Sequence, residues 1–433
     1  MPNNPVLVVT NPLHYTYFRT RQSTAAIGSR HGLIQDYGAE LGFDANTTLY
    51  DSPNTIEALI AKYQQANPDT PAEFMAWKAA NVTAHVLGND YALAHDLERK
   101  TYIRSLLPAD LFPRFVIVPA AALEGQTYTG LAAQLESTSL VLQIDYSTGG
   151  KGTFYISDQT DLDAVLPRLI AAGQDIVASA LIVGTSRGIQ CYVTEQQAVC
   201  MDWWHRDLVG LPEICNLDNP HATKYCGAIL EDIPAVYTEQ ARSIVQRVGA
   251  SMANEGYRGV FGLDIVVDEA SQKIYVIEVN PRFTAVSHLY ATAMHAHGYS
   301  TDFMTAHIES LLEVGASSVA DFAPSRPLGQ TYYYLKLQNK QPGGVRLAEA
   351  CRLGVYDAVG TYRRFGFGID GLQASDEVVV IPESSRGAGR LSGERVFSMI
   401  GSGDPLEADH LLPSARATIQ MFYDKMLVPD VGK

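Results

Sequence analysis

Hydrophobic positions in this chain fall first into short, bounded runs and later into longer alternating ones. Pro5-Val-Leu-Val-Val9 reads as a buried strand, because a few apolar residues between turn formers suit a strand covered on both faces. Helical spacing follows around 55–65 and 72–80, with a proline-containing loop at 68–71 between them, and a second apolar run ends in His85-Val-Leu-Gly-Asn-Asp90. This alternation predicts an N-terminal α/β unit built on a small parallel sheet. Residues 92–106 predict one helix, closed by Pro108 and Pro113. Strands are expected at Phe115-Val-Ile-Val and Leu140-Val-Leu-Gln-Ile, a helix at 161–172, and strands at 176–183 and 189–194. A long helix over about 238–255, strands at 260–267 and 273–279, and a helix at 300–314 come next. After Pro324, Tyr332-Tyr-Tyr-Leu, Val378-Val-Val-Ile and frequent glycines predict a smaller β-rich module ending in a helix near 413–427.

A chain of 433 residues exceeds a single core, so two to four packed units are expected. With 46% apolar and 18% charged residues it is globular in composition. No apolar run reaches membrane-spanning length. Met1-Pro-Asn-Asn-Pro-Val6 has no basic and apolar leader pattern, so a cytoplasmic protein is expected. The net charge of −15 excludes an electrostatic footprint for nucleic acid, and an anionic substrate would need a local basic pocket. Cys191, Cys200, Cys215, Cys226 and Cys351 form no CxxC pair and are expected to be reduced, mostly buried thiols. Thr10-Asn-Pro-Leu-His14 stands where a nicotinamide-binding fold would carry a glycine fingerprint, so no such site is expected.

Two segments carry chemistry. In Asp145-Tyr-Ser-Thr-Gly-Gly-Lys-Gly-Thr153, Gly149, Gly150 and Gly152 allow backbone N–H groups close to phosphate oxygens, and Lys151 adds a charge. A Walker loop would run straight into a helix; here Thr153-Phe-Tyr-Ile-Ser alternates like a strand, so the element is strand–loop–strand. The second segment is a hairpin, Gly262-Leu-Asp-Ile-Val-Val267 and Lys273-Ile-Tyr-Val-Ile-Glu-Val-Asn280. Symmetry about Ser271 would set Asp264 opposite Glu278, put Asn280 on the same face, and send Ile277 and Val279 to the other. Converging carboxylates and an amide call for a cation, and hard oxygen donors suit magnesium shared with phosphate. Asp264 would hold one ion, Glu278 would bridge two, and Asn280 would hold the second.

Glu278-Val-Asn-Pro-Arg282, with Asp264 upstream, the glycine hairpin and a lysine near 100, resembles the ATP-grasp enzymes over roughly residues 85–310. The resemblance implies an α/β (α+β ATP-grasp) fold. Residues 1–95 would be an N-terminal α/β domain, 96–320 the ATP-grasp nucleotide-binding and catalytic domains, and 321–433 the C-terminal β-rich module. It implies that Lys100 contacts ATP phosphates and that Lys224 approaches the terminal one. Ala180, Leu181 and Ile182 would meet the adenine, and Ser186 falls where the family often has an acid for the ribose. Gln143 replaces the family's usual lysine, and Gly262 stands where some members carry an arginine, leaving Arg282 to hold the acyl phosphate. The cofactors implied are ATP and Mg²⁺, two ions, with Mn²⁺ as a substitute. The partners are a small-molecule carboxylate and an amine, with no nucleic acid or membrane.

The expected activity is an ADP-forming ligase that activates a carboxylate as an acyl phosphate and joins it to an amine, an amino acid or small peptide. The alternatives are an ATP-dependent carboxylase of the biotin carboxylase or purine-synthesis type and a decayed ATP-binding protein. His14, Tyr15, Arg19 and Arg21, or Trp203, Trp204 and His205, are candidates to line a substrate pocket. The C-terminal module is open to two roles, enclosing the amine or forming a homodimer.

Overall fold

The computed structural model describes residues 6–9, 24–29, 47–50, 56–68, 73–76, 86–87, 89–147, 152–195, 197–216, 224–311, 319–322, 325–383, 389–407 and 410–430. Packing divides the chain into two units, Met1–Gly88 with His205–Asp232 and Ala285–Lys433, and Asn89–Trp204 with Ile233–Thr284. Among the described residues, no helix is long and apolar enough to cross a membrane.

The first unit opens with five parallel strands, β1 (Val6–Val9), β2 (Thr24–Ser29), β3 (Thr47–Tyr50), β4 (Glu73–Ala76) and β5 (Val86–Leu87), in the order β3-β2-β1-β4-β5. Helix α1 (Ile56–Ala66) lies where helical spacing predicts it. The helix expected over 72–80 is corrected: Glu73–Ala76 is a strand paired in parallel with β1. Glu, Met and Ala favour a helix locally, but pairing on both edges inside a sheet outweighs that preference.

The second unit contains α2 (Tyr91–Glu98), α3 (Lys100–Leu106), α4 (Tyr128–Leu135), α5 (Gln159–Ala172) and α6 (Ala235–Asn254). An antiparallel sheet in the order β6-β9-β7-β8 comprises β6 (Phe115–Val118), β7 (Leu140–Ile144), β8 (Thr153–Ile156) and β9 (Ile176–Ala180). Leu140, Leu142, Ile156 and Ala178 meet Leu131 and Leu135 of α4 and Leu162 and Leu169 of α5 in one core. Strand β10 (Thr185–Val193) pairs with β11 (Ala198–Cys200) and with β14 (Gly259–Asp268), which forms a hairpin with β15 (Lys273–Asn280). Alternate residues of β14 (Phe261, Leu263, Ile265 and Val267) pack on Val245, Val248 and Met252 of α6.

Elsewhere in the first unit, β12 (Trp203–Val209) contributes residues 205–209 beside β13 (Tyr225–Asp232). Beyond β13 come β16 (Tyr332–Gln338), β21 (Arg395–Ser402), β20 (Val378–Pro382), β18 (Gly354–Tyr356) and β19 (Tyr362–Arg364). Strand β17 (Val345–Leu347) pairs with residues 427–429 just past α9 (Pro413–Met426). Helix α8 (Phe303–Leu311) is expected; α7 (Ser287–Ala296) is not. Ser287 to Met294 are all buried, so α7 has no polar face and gives no amphipathic signal. All five cysteines are reduced and buried. Cys191 and Cys200 are direct cross-strand partners, and burial pushes the Cys200 thiol up to about 12.

Candidate active site

The site grows out of the β14–β15 hairpin. Next to the turn, Asp268 pairs with Lys273 and Val267 with Ile274, so the turn is not centred on Ser271. A register shift then intervenes: Ile265 faces Val276, but Asp264 faces Glu278. Ile277 is the additional residue of a β-bulge. It reverses the side-chain alternation of β15, because Ile274, Val276 and Val279 all belong to the same core although their spacing changes from even to odd. In an unbroken strand Glu278 would follow Ile274 and Val276 inward. The bulge turns Glu278 and Asn280 to the face that carries Asp264. The expected facing of Asp264 and Glu278 is therefore present, through a bulge and not through a symmetric turn. Ile277 is half-buried and outside the core, which corrects its expected place beside Val279.

On that face the Asn280 amide nitrogen donates to Asp264 Oδ2 at 3.2 Å, and Asn280 Oδ1 accepts from Arg282 Nη2 at 3.0 Å. Arg282 also donates through Nε to Glu98 Oε1 at 2.7 Å. Arg282 thus forms an ion pair with an acid of α2. Lys100 is buried, and its Nζ stands 3.5 Å from Glu278 Oε1 without a hydrogen bond of its own. A buried ammonium beside a carboxylate, with donor capacity unused, suits a site that receives further negative charge.

Lys100 is positioned by a break that the sequence pattern does not reveal. The single helix expected over 92–106 is two helices, interrupted at Arg99, which is extended at φ −76° and ψ 127°. Asp145, at the end of β7, occupies the break. Its main-chain oxygen accepts from Lys100 N at 3.0 Å, and its Oδ1 accepts from Thr101 N and Thr101 Oγ1, each at 2.8 Å. Arg99 Nε donates to Asp145 Oδ2 at 2.8 Å. The first N–H groups of α3 are thus satisfied by another strand, which fixes the start of α3 and the root of Lys100. Burial pushes the Asp145 carboxyl up, but the Thr101 and Arg99 donors outweigh it and hold the group below the ordinary carboxylate value. Its contribution to stability is complete above about pH 4 and fades as the pH falls further. Asp145→Ala is expected to cost about 2 kcal/mol at neutral pH, with the stability difference shrinking below about pH 4, and, given the role toward ATP that the sequence implies for Lys100, to raise the KM for that nucleotide. Urea unfolding at several pH values and steady-state kinetics would check this; an unchanged KM would detach Asp145 from the site.

The strand–loop–strand expectation holds for β7 and β8, which pair antiparallel from Leu140↔Ile156 to Gln143↔Thr153. Gly149, Gly150 and Lys151 lie outside the described residues. Gly152 is buried, its carbonyl accepts from Ile144 N at 2.9 Å, and a Cβ there would lie 2.6 Å from Ser147 Cβ. Gln143 is buried in β7, and its Oε1 accepts from Arg104 Nη2 at 3.3 Å. At the end of β9, Ala180, Leu181 and Ile182 are half-buried; Ala180 N donates to Arg114 O and Leu181 N to Ser139 O, both at 2.8 Å. Ser186 is exposed at the start of β10. A Cβ at Gly262 would lie 2.7 Å from Thr284 Cγ2, so the hairpin has little room for an arginine there.

Lys224 belongs to the first unit, where its Nζ donates to Asn216 O at 3.3 Å. Trp203 and Trp204 are buried, Trp204 in the core under the Arg187 guanidinium, so neither lines an open pocket. His205 is buried with Nδ1 3.3 Å from the Tyr290 hydroxyl. His14, Tyr15, Arg19 and Arg21 lie outside the described residues.

Sequence reading gave no role to Asp145, Glu98 or Arg104. Arg104 falls one helical turn after Lys100, a spacing that puts both on one face and was available as a signal. The partners of Asp145 and Glu98 lie 44 and 184 positions away, and no local pattern reports them. Among the described residues, no group of three or more His, Cys, Asp or Glu side chains could hold a metal. The donors here are two carboxylates and an amide. That set fits magnesium, which keeps waters and shares its sites with phosphates, better than a metal wanting a full protein cage.

Residues 113–286 match the family model described as the ATP-grasp domain. Three solved structures share the fold over nearly the whole chain. Phosphoribosylamine–glycine ligase from Thermotoga maritima is 13% identical, with 97% of this chain and 96% of that one covered and a TM-score of 0.59. The biotin carboxylase domain of 2-oxoglutarate carboxylase from Hydrogenobacter thermophilus, in complex with MgADP, ADP and bicarbonate, is 12% identical, with 92% and 86% covered and a TM-score of 0.61. N5-carboxyaminoimidazole synthetase from Staphylococcus aureus, complexed with ADP, is 12% identical, with 97% and 96% covered and a TM-score of 0.55. No curated protein matches the chain in sequence. Residues 113–286 thus carry an ATP-grasp domain, and the chain shares the fold of these structures.

Proposed function

We propose that this protein is an ADP-forming ligase that activates a small carboxylate as an acyl phosphate and joins it to an amine, such as an amino acid or small peptide. One observation carries the reading: Asp264 and Glu278 face each other across the bulged hairpin of an ATP-grasp domain, with Lys100 against Glu278 and Arg282 against Asn280. Two acids on one face favour a divalent cation, and the adjacent lysine and arginine favour phosphate. Asp264 and Glu278 would hold magnesium, and Asn280 would join them once its oxygen turned from Arg282. When bound, the metal offsets negative charge on the phosphates.

The chain's own groups then account for the remaining tasks. Lys100 offsets charge on the transferring phosphoryl group. Arg282, braced by Glu98, presents planar donors to a carboxylate or acyl phosphate. Gly149, Gly150, Lys151 and Gly152 would close over the nucleotide, excluding water from the acyl phosphate. The Ile182 amide and neighbouring carbonyls offer hydrogen bonds to a base edge, since the amides of Ala180 and Leu181 are engaged. Ser186, exposed at the start of β10, would meet the ribose.

In the reaction a carboxylate oxygen attacks the γ-phosphorus, and the bond to the β,γ-bridging oxygen breaks as ADP leaves. The amine then attacks the acyl carbon, loses a proton, and phosphate departs with the original carboxylate oxygen. A screen of pooled carboxylates and amines for ADP and phosphate release would find the pair. With ¹⁸O in that carboxylate, label is expected in the released phosphate; AMP with pyrophosphate, or unlabelled phosphate during amide formation, would sink the mechanism. A carboxylase reading also has support, since one similar structure holds bicarbonate with MgADP. It requires turnover that depends on bicarbonate, with phosphate labelled from ¹⁸O-bicarbonate.

A further inference from the structure

Arg104 is the most buried arginine near the site and has no place in the scheme above. It lies on α3, is 4% exposed, and its guanidinium carbon stands 5.0 Å from the Phe112 ring centre and 5.6 Å from that of Phe115. Burying a guanidinium is costly unless several acceptors meet it. Three do. Nη1 donates to Lys100 O at 3.2 Å, and Nη2 divides between Gln143 Oε1 at 3.3 Å and Ile277 O at 3.4 Å. Ile277 is the bulge residue. A bulge removes a peptide group from the ladder, and that group needs another partner when it is turned inward.

Resting on the metal-site reading given above, we infer that Arg104 is a positioning residue: its fork ties the main-chain oxygen of the Ile277 bulge to Gln143 and to the root of Lys100, and so holds Glu278 and Asn280 on the face of Asp264. The sequence requirement is specific. Only a planar fork reaches three acceptors on two strands and a helix at once, and lysine keeps the charge but loses that reach. Gln143 gains a reason to be neutral as well. A lysine at 143 would set a second cation against Arg104, whereas glutamine supplies an acceptor.

The alternative role for Arg104 is a cation that attracts phosphate, and the two differ in sign. Removing a nearby positive charge should by itself tighten binding of a divalent cation. Loss of the clamp should weaken it, because Glu278 would no longer be held in place. The test uses Mn²⁺, followed by electron paramagnetic resonance in the presence of ADP, on the wild-type chain, Arg104→Met and Arg104→Lys. ADP binding is measured separately in chelator, and hydrogen exchange of the 277–280 amides reports on the bulge.

The clamp predicts Mn²⁺ binding at least tenfold weaker in both variants, ADP binding within threefold of wild type, and faster exchange at 277–280. If Arg104→Met does not fold, Arg104→Lys carries the comparison. Wild-type or tighter Mn²⁺ binding in a folded variant overturns the inference, as does full recovery by lysine or a parallel loss of ADP. Failure of the wild-type chain itself to bind Mn²⁺ with ADP would instead remove the underlying metal reading.

Discussion

Glu278→Gln is expected to lower kcat by at least about 10²–10³-fold while leaving the fold intact. The carboxylate stands opposite Asp264 and 3.5 Å from Lys100 Nζ. Glutamine keeps the volume and an acceptor oxygen for the lysine but removes the charge that a divalent cation requires. The deficit should persist at ordinary magnesium, because an amide oxygen is a much weaker ligand for a hard cation than a carboxylate. Circular dichroism and thermal melting would confirm that the variant is folded. Near-normal turnover in a folded Glu278→Gln protein would end the assignment of this face as the metal site.

Lys100→Met should lower kcat/KM for ATP about 100-fold, with little change in melting temperature. The ammonium is buried and makes no hydrogen bond, so replacing it with an apolar chain of similar length has a small cost or none. Glu278, about a quarter exposed, can turn to solvent when its partner is gone. The expected loss is thus in function and not in folding, the opposite of what a structural ion pair would give. Kinetics with ATP as the varied substrate, together with a melting curve, separates the two. A kcat/KM within threefold of wild type, or a large stability loss at unchanged kcat/KM, would show that Lys100 serves only the fold.

Much of the scaffold was legible from the chain because it depends on local regularities. Two-residue alternation in 260–267 and 273–279 specified a hairpin, and the polar turn between them limited the register to one or two choices. Helical spacing located α5, α6 and α9, each with a polar face to contrast with its apolar one. Strand-like alternation after Gly152 distinguished strand–loop–strand from a Walker loop. Where these regularities vanish, reading fails. Helix α7 has no polar face, and β4 is a four-residue piece whose residues prefer a helix until two neighbouring strands pair with it.

The sequence by itself determined which groups the hairpin carries: two acids, an amide and, two residues past the strand, an arginine. Tertiary structure alone decided how those groups face. The bulge at Ile277 sets the parity of Glu278, and its energetic support comes from Arg104, 173 positions away. The break at Arg99 that roots Lys100 is stabilised by Asp145, more than 40 positions along the chain. Side-chain periodicity reports only neighbours within a turn or a strand. A backbone irregularity is stable when distant donors and acceptors satisfy the groups it frees, and that balance exists only in the folded chain.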